Sequence, residues 1–389
     1  MIYDCIVIGA GASGLMFSNI ISKKLNTLVL EKNNSAGKKL LITGNGRCNL
    51  TNNLDNKEFL NNINHNKKYL YQTIYKFGPK EVINYFKLPL KNENGKIFPV
   101  SNDSSEVLNY LLKHKNTDIK YNNEVIKIEK ENNKYILYTK NNIYKTNYLI
   151  IATGGSSFKR LGSSGDNIKF SKMLNQKTVP IYPCETSIIL KNKYDLAGTS
   201  FDNIILKVNK KSFEGNLIFT HNGLSGHSVM SASEHIYLEK TKEIYIDFLP
   251  NITQEYIKKD MLENKNNSIL NYLSTYFTKK FITFTLEYLN ISNDNIKSIN
   301  LKNIDLLINT LKNYKFSVKS VSDIDKAYVT GGGVDLKDID TSNFSSKTNH
   351  NLFFIGEALD IHGPIGGYNL TLAFSSAYSA ASYINENTR

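Results

Sequence analysis

Residues 3–31, YDCIVIGAGASGLMFSNIISKKLNTLVLE, constrain the fold more than any other stretch of the chain. The pattern predicts a strand (Tyr3 to Ile8), a glycine-rich turn (Gly9, Gly11, Gly14), an apolar helix and a second strand (Thr27 to Leu30) ending on Glu31. Each residue type there has a physical task in holding a dinucleotide. Gly9 lets the chain turn off the strand, Gly11 lets backbone approach a pyrophosphate, and Gly14 lets the helix pack on the strand. The helix N-terminus then offers unpaired N–H groups and a partial positive charge to the phosphates. Glu31 stands 22 positions after Gly9, where a carboxylate can accept the hydrogens of a ribose diol. An acid at that position disfavours a 2′-phosphate, so FAD or NAD is expected and NADP is not. The plain alternative is a glycine-rich turn in an ordinary βαβ unit.

A chain of 389 residues can hold two or three compact units, and 41% hydrophobic residues lies in the globular range. No run of about 18 apolar residues occurs, and no signal-peptide pattern precedes the first strand, so a cytoplasmic protein with no membrane contact is expected. Cys5, Cys48 and Cys184 are scattered, which offers neither a disulfide framework nor a zinc spacing. His221, His227 and His235 do not have zinc spacing either, and no metal is expected. The formal charge is +13, carried mostly by lysine; arginine occurs only at Arg47, Arg160 and Arg389. Abundant Asn, Ile and Tyr suggest an AT-rich genome, which explains Lys over Arg but not the excess over 35 acids. Such a surplus suits a polyanionic partner through counterion release; a generally basic proteome is the other explanation.

Along the chain, Lys32 to Asn52 is a loop dense in Gly, Asn and Lys, too long for a plain connection. Residues 66–88 place Tyr69, Ile74, Phe77, Val82, Ile83 and Phe86 at helical spacing, a core-facing stripe. A strand is expected at Lys96 to Val100 and a helix at Ser105 to His114, capped by Asp103 or Ser104. Residues 119–151 alternate as a hairpin and end in the apolar strand NYLIIATGG. Residues 186–249 predict antiparallel strands, and 251–314 a helical insertion. Strands return at FSVKSV, AYVTGGGVDL and LFFIGE, followed by a glycine turn (Gly363, Gly366, Gly367) and a last helix rich in Ala and Ser.

Glycine turns at both ends of the chain suggest one ligand gripped by distant segments. Five ordered motifs then carry a resemblance: GNGRCNLTN (Gly44 to Asn52), IATGG…LGSSGD (Ile151 to Asp166), FTHNGLSG (Phe219 to Gly226), AYVTGGGV (Ala327 to Val334) and FIGEALDIHGPIGGYNLTLA (Phe354 to Ala373). Together they resemble the BaiN/RdsA family of FAD-dependent oxidoreductases, also called YhiN-type flavoproteins, over essentially the whole chain. The resemblance implies an α/β fold in which a Rossmann-like FAD-binding domain of the two-dinucleotide-fold type (1–186 and 328–389) is interrupted by a β-barrel-like domain (187–250 and 315–327). The barrel carries the helical insertion (251–314). Members of the family reduce a uridine C=C bond in large-subunit ribosomal RNA, reduce bile-acid steroids or oxidise aminoacetone, so membership implies the cofactor better than the substrate. His227 stands where the family usually has proline, and Thr371 where it usually has glutamine; both departures bear on substrate identity.

With tightly bound FAD, the adenosine half is expected at Gly9, Gly11, Ser13, Gly14, Glu31 and Lys32, with Val125 contacting adenine through its backbone. The resemblance places Gly44, Gly46 and Arg47 along the isoalloxazine, where Arg47 or Lys39 would stabilise the reduced, anionic ring. Arg47 could instead be a surface salt bridge. Ala152, Thr153 and Gly154 follow the buried strand, Gly356 and Glu357 stand near the ribityl phosphate, and Gly367, Tyr368, Asn369 and Leu370 open the last helix. Reduction of a polarised C=C bond needs a proton donor opposite the hydride. Cys48 and His221 are the two candidates; Cys48 could equally be a packing residue and His221 a hinge residue. No second nicotinamide fingerprint is present, so NADH or NADPH would bind transiently. Three functions compete: reductase of a uridine in large-subunit ribosomal RNA, oxidase of a small amine, and a non-enzymatic RNA-binding assembly factor. Reduction of a steroid-like enone is a further possibility, and a monomer is favoured.

Overall fold

The computed structural model describes residues 2–63 and 65–388. The chain forms two units, Met1–Tyr182 with Ile324–Arg389, and Pro183–Asp323.

The first unit is built on a parallel sheet. Strand β1 (Ile2–Ile8) lies between β2 (Thr27–Leu30) and the strand Ile143–Ile151, which in turn pairs with Leu352–Phe354; Asp118–Lys120 extends the other edge. Cys5, Ile6 and Val7 are fully buried, as expected of a central parallel strand covered on both faces. The register aligns the strand ends. Ile8 pairs with Leu30 and with Ile151, and Ile151 pairs with Phe354, so four strands finish in one row. The hairpin Val125–Glu131/Lys134–Thr139 attaches antiparallel to the beginning of Ile143–Ile151.

Helix α1 (Ala12–Ile20) packs against the last helix, Tyr368–Asn387. Small residues permit the approach: Ser376, Ala377, Ala380 and Ala381 are all buried. The predicted stripe of 66–88 becomes two short helices, Tyr71–Lys76 and Pro79–Tyr85, broken where Gly78 precedes Pro79. Ile74, Phe77, Val82 and Phe86 are buried there, and Phe77 stacks on Tyr378 of the last helix at 4.3 Å between ring centroids. The helix Ser104–His114 starts on Asp103, whose carboxylate accepts from Ser105 N–H at 2.8 Å.

The second unit is a closed barrel of six strands: Ile188–Leu190, Gly223–Ser225, Lys211–Thr220, Ser200–Val208, Glu243–Asp247 and Tyr314–Val321, in spatial order. Between the last two in sequence run the helices Gln254–Glu263, Ile269–Leu273, Lys279–Leu289 and Leu301–Lys312. Each begins on a capping side chain (Thr253, Ser268, Thr278, Asn300) that accepts a backbone N–H three residues on. Ile304, Leu307, Ile308 and Leu311 give the last of these its buried face. The insertion is rooted by Lys312, whose ammonium pairs with Asp247 at 2.8 Å and donates to the carbonyls of Leu249 and Ile252. Both ends of that pair are nearly buried, and the two extra acceptors compensate for the lost hydration of the lysine. The barrel's final strand ends at Val321, and Ile324 already belongs to the first unit. No helix among the described residues is long and apolar enough to cross a membrane.

Candidate functional site

Ligands of open α/β sheets bind beyond the carboxyl ends of the strands. Here those ends place Gly9, Glu31, Ala152 and Ile355 side by side, directly after Ile8, Leu30, Ile151 and Phe354. Gly9 has φ +107°, and a Cβ on it would stand 2.6 Å from the Ala152 carbonyl oxygen. A Cβ on Gly14 would stand 2.0 Å from the Gly9 oxygen, which is the close helix–strand approach its position predicts. A Cβ on Gly11, by contrast, would meet nothing within 4 Å, so the turn is open on the side where a pyrophosphate would lie. Ser13 packs under Gly356, at 2.6 Å from where that glycine's Cβ would be.

Glu31 is 7% exposed and ties three donors together. Its Oε2 accepts from Ala10 N–H, and its Oε1 from the backbone and side-chain N–H groups of Asn33, all at 2.8 Å. A carboxylate has about four acceptor positions, so one on Oε2 remains for a hydroxyl. A diol would engage that position and compete with the Asn33 amide for the other oxygen. Val125 opens its strand just after Asn123, whose N–H donates to the Glu31 carbonyl at 2.9 Å. Lys32 is tied to Asp166 at 2.7 Å and to Ser164, which fastens the LGSSGD loop to the end of β2.

Beyond Ile151, the chain turns at Gly154 and Gly155 against Thr330, whose hydroxyl accepts from Ser156 and Ser157 N–H. Glu357 joins this corner, accepting from Thr330 N–H at 3.0 Å and from the Lys39 ammonium at 2.7 Å. Lys39 also donates to Ser157 at 2.6 Å. The Thr153 hydroxyl is buried with no hydrogen-bond partner, an orphan at the row of strand ends. The open Gly11 turn, the remaining Glu31 acceptor and this orphan hydroxyl fit a bound dinucleotide.

The Gly44 to Asn49 loop is a tight left-handed coil, with φ of 58°, 58° and 81° at Gly44, Asn45 and Gly46 and of 57° at Cys48. A Cβ on Gly46 would meet nothing within 4 Å, leaving that backbone open as well. The loop ends on Thr51, which packs against Gly367 and hydrogen-bonds Thr371 at 2.8 Å. Arg47, however, is held by Glu93 at 2.8 Å and lies over the Phe98 ring at 4.2 Å. It forms the partly exposed salt bridge that was its alternative reading. Lys39 is likewise neutralised, by Glu357. In the final motif, Asn369 spends its amide on the Gly363 and Pro364 carbonyls, and Tyr368 stacks on Phe59 at 4.8 Å. Those two side chains shape the turn; what Gly367 to Leu370 can offer a ligand is the helix N-terminus.

The two expected proton donors lie in different surroundings. Cys48 is fully buried, and that burial pushes its thiol up to about 12, against a smaller lowering by a hydrogen bond with Thr43. Such a thiol is a poor acid near neutral pH. His221 is exposed on the two-residue turn between the barrel strands Lys211–Thr220 and Gly223–Ser225, in the second unit.

A third cluster in the first unit escaped the sequence reading. His65 Nε2 lies 2.7 Å from Asp360 Oδ1, and the His65 ring stacks on His362 with centroids 4.5 Å apart. Asn66 donates to the Asp360 carboxylate and carbonyl at 2.9 and 2.7 Å. His65 and Asp360 are 295 residues apart, and only DIHG, inside an already quoted motif, could have drawn attention to Asp360 and His362.

A family model described as the HI0933-like protein Rossmann domain matches residues 3–383. The ribosomal RNA dihydrouridine synthase of Escherichia coli (strain K12) is 26% identical over 391 residues, 97% of each chain. The 3-dehydro-bile acid delta(4,6)-reductase of Clostridium scindens is 26% identical over 407 residues, 96% of this chain and 97% of that one. Among solved structures, the open conformation of a flavocytochrome c3 fumarate reductase aligns with a TM-score of 0.55 at 14% identity, over 99% of this chain and 78% of that one; this is a likeness of fold. The match over nearly the whole length, on the Rossmann sheet whose strand ends form the site, places the chain in the HI0933-like family, to which its BaiN/RdsA-type motifs also point.

Proposed function

We propose that this chain is an FAD-dependent oxidoreductase that reduces a C=C bond at the expense of NADH or NADPH, and that its substrate is a uridine of large-subunit ribosomal RNA. The observation that carries the cofactor is the row of strand ends, where Gly11 is open, Glu31 keeps one acceptor and Thr153 lacks a partner. FAD, when bound there and reduced, supplies hydride to one carbon of a polarised double bond. The chain's own residues would bind and orient it: the α1 N-terminus would hold phosphate, Glu31 the ribose, and the Gly44 to Asn49 and Gly367 to Leu370 segments the remaining length. The substrate rests on two supports. The relatives named as a ribosomal RNA dihydrouridine synthase and a bile-acid reductase both act on C=C bonds, and the charge of +13 favours the polyanion of the two.

Residues 251–320 hold ten lysines and six acids. Five of those lysines are ion-paired: Lys258 with Asp305, Lys259 with Glu263, Lys280 with Asp195, Lys312 with Asp247 and Lys315 with Glu243. The cations left for phosphate are therefore Lys265, Lys279, Lys297, Lys302 and Lys319, without an acid within 4 Å among the described residues. Lys265 and Lys297 are brought together by the hydrogen bond from Lys297 N–H to the Lys265 carbonyl.

The test is an anaerobic one. The purified yellow protein is reduced with NADH or NADPH, then mixed with ribosomal RNA from a strain lacking the gene. Reoxidation of the flavin with a two-hydrogen mass gain at one uridine is the expected result. Reoxidation by a 3-oxo-4-ene steroid and none by RNA, or, in a separate arm, reduction of the oxidised flavin by aminoacetone with reoxidation once oxygen is admitted, would replace the substrate named here.

A further inference from the structure

We propose that the exposed face of residues 67–76 is a stacking platform for single-stranded RNA, on which Tyr71 and Tyr75 carry bases flanking the target uridine. The assignment rests on the RNA reading above and adds to it a partner surface in the first unit. Ile74 and Phe77 turn into the core, as their spacing predicts. The opposite face of the turn Lys67–Tyr69 and the helix Tyr71–Lys76 presents Lys68, Tyr71, Gln72, Tyr75 and Lys76, all exposed. Those positions fall at i, i+3, i+4, i+7 and i+8, one helical stripe in which two lysines bracket two rings. Tyr71 is 47% exposed and Tyr75 60%, and among the described residues neither side chain stacks on another ring or makes a hydrogen bond.

Charge separates this face from an ordinary solvated helix. Residues 66–87 hold five lysines (Lys67, Lys68, Lys76, Lys80 and Lys87) and one acid, Glu81. Glu81 is already engaged, its Oε2 accepting from Gly78 N–H at 2.9 Å. None of the five lysines is ion-paired among the described residues, whereas Lys258, Lys280 and Lys312 of the helical insertion are. Lys68 lies over the Tyr69 ring at 5.0 Å and Lys76 over the Tyr378 ring at 5.9 Å, so an aromatic face holds each ammonium and leaves its charge for phosphate. A lipid surface or an apolar partner would call for aliphatic side chains. Tyrosine, glutamine and lysine instead offer π faces, hydrogen bonds and positive charge, the combination that holds single-stranded nucleic acid.

The face is also rigid and close to the strand ends. It begins where the Asn66 amide donates to the Asp360 carbonyl and carboxylate at 2.7 and 2.9 Å, three residues after Glu357 and seven before Gly367. Farther along, Thr73 Oγ1 donates to the Thr341 carbonyl at 2.9 Å and Ser375 Oγ to the Phe77 carbonyl at 2.5 Å. Contacts at both ends fix the helix, so docking bases meet rings on a backbone that needs no ordering. From Lys68 to Lys76 the stripe rises about 12 Å, room for a few nucleotides beside one that has left its stack.

The test compares the wild-type holoprotein with three double variants: Tyr71→Ala with Tyr75→Ala, Tyr71→Phe with Tyr75→Phe, and Lys68→Gln with Lys76→Gln. Binding is read by fluorescence anisotropy of labelled oligouridylate, about 12 nucleotides long, over a salt series. All these side chains face solvent, so flavin content and reduction by NADH or NADPH should match the wild type in every variant. The alanine pair should bind about 5- to 150-fold more weakly for each stacked base lost, with an unchanged salt slope. The phenylalanine pair should bind as the wild type does, and the glutamine pair should flatten the log–log salt slope by roughly 0.7 per lysine. Unlabelled duplex RNA should compete poorly. Wild-type affinity in the alanine pair, or a preference for duplex, would overturn the platform. So would a concentration-dependent dimer in sedimentation that the alanine pair abolishes, which would give the face to a second copy of the chain. Uridine reduction in ribosomal RNA by the alanine pair at the wild-type rate and KM would remove the platform alone. If the wild type binds no oligouridylate and its flavin is reoxidised only by a steroid enone, the RNA reading itself fails and the platform with it.

Discussion

Replacing Glu31 by glutamine removes one charge and leaves the side-chain shape almost unchanged, so its cost can be worked from the three donors around it. An amide offers one oxygen where the carboxylate offers two. Keeping both Asn33 donors on that oxygen turns the new NH₂ toward Ala10 N–H, at a fully buried residue. A buried N–H without an acceptor costs about 1–3 kcal/mol. For a unit of this size each kcal/mol moves the melting temperature by about 2–4 °C, so the apoprotein should melt about 2–12 °C lower. The cofactor arm is separate. Glutamine also takes away the acceptor position on Oε2 proposed for a ribose hydroxyl, worth about 1.5–3 kcal/mol for a bond to a charged group, or roughly 10- to 150-fold in FAD affinity. Scanning fluorimetry of the apoprotein and flavin titration by fluorescence quenching read the two arms independently. A variant that melts with the wild type and binds FAD equally well would refute the role of this carboxylate in both strand-end structure and ribose recognition.

Two further outcomes follow from titratable groups and from charge. The Cys48 thiol titrates at about 12 in the folded chain against an ordinary 9.0, so between those values the unfolded state binds fewer protons and stability falls as pH rises. The whole interval is worth on the order of 4 kcal/mol, and Cys48→Ala should lose that part of the alkaline decline in urea unfolding between neutral pH and the alkaline range; an unchanged slope refutes the burial argument. Changing Lys265, Lys279, Lys297 and Lys302 to Glu should leave flavin content intact, weaken ribosomal RNA binding and flatten its log–log salt dependence by roughly 0.7 per lysine. The already paired Lys258 and Lys280 should contribute less, and equal losses from both sets would remove the distinction drawn from the ion pairs.

The sheet was legible because its signals are local. The strand Thr27–Leu30 has the limits its sequence predicts, and Gly9 and Gly14 make the turn and the close helix–strand packing that their spacing implies. The antiparallel strands of the second unit and the helices inserted after them were legible in the change from alternating to helical periodicity near residue 251, whereas closure of those strands into a barrel was implied by the family resemblance alone. Side-chain commitments were not. Arg47 reads as a scarce cation beside glycines, and nothing in GNGRCN announces Glu93 and Phe98, which reach it from a separate three-stranded sheet. Asn369 reads as a ligand contact, yet its amide is consumed by carbonyls five and six residues earlier. A sequence shows which residues can bond but not which donors have already been used, and that decides what remains for a ligand.

The asparagines show the same point from the side of composition. Among the described residues, 11 of the 16 non-glycine residues at positive φ are Asn, so part of an apparent genome bias is placed where a left-handed turn needs a residue that tolerates it. The five others are Cys48, Phe158, Glu185, Lys240 and Phe344. A side chain without asparagine's local hydrogen bonding costs on the order of 1–3 kcal/mol in such a conformation, and persists only where its surroundings over-determine it. Cys48 lies in the coil after Lys39, and Phe158 in the loop after Gly154, two segments that meet at the Lys39–Ser157 hydrogen bond. Both strained residues therefore sit in the loops bordering the strand ends, where the backbone, rather than any one side chain, is held in the shape a ligand would meet. That accounts for a buried thiol in a glycine-rich motif without giving it a proton to transfer: Cys48 anchors the coil from inside the core, while Gly46, two residues earlier, leaves its outer face open.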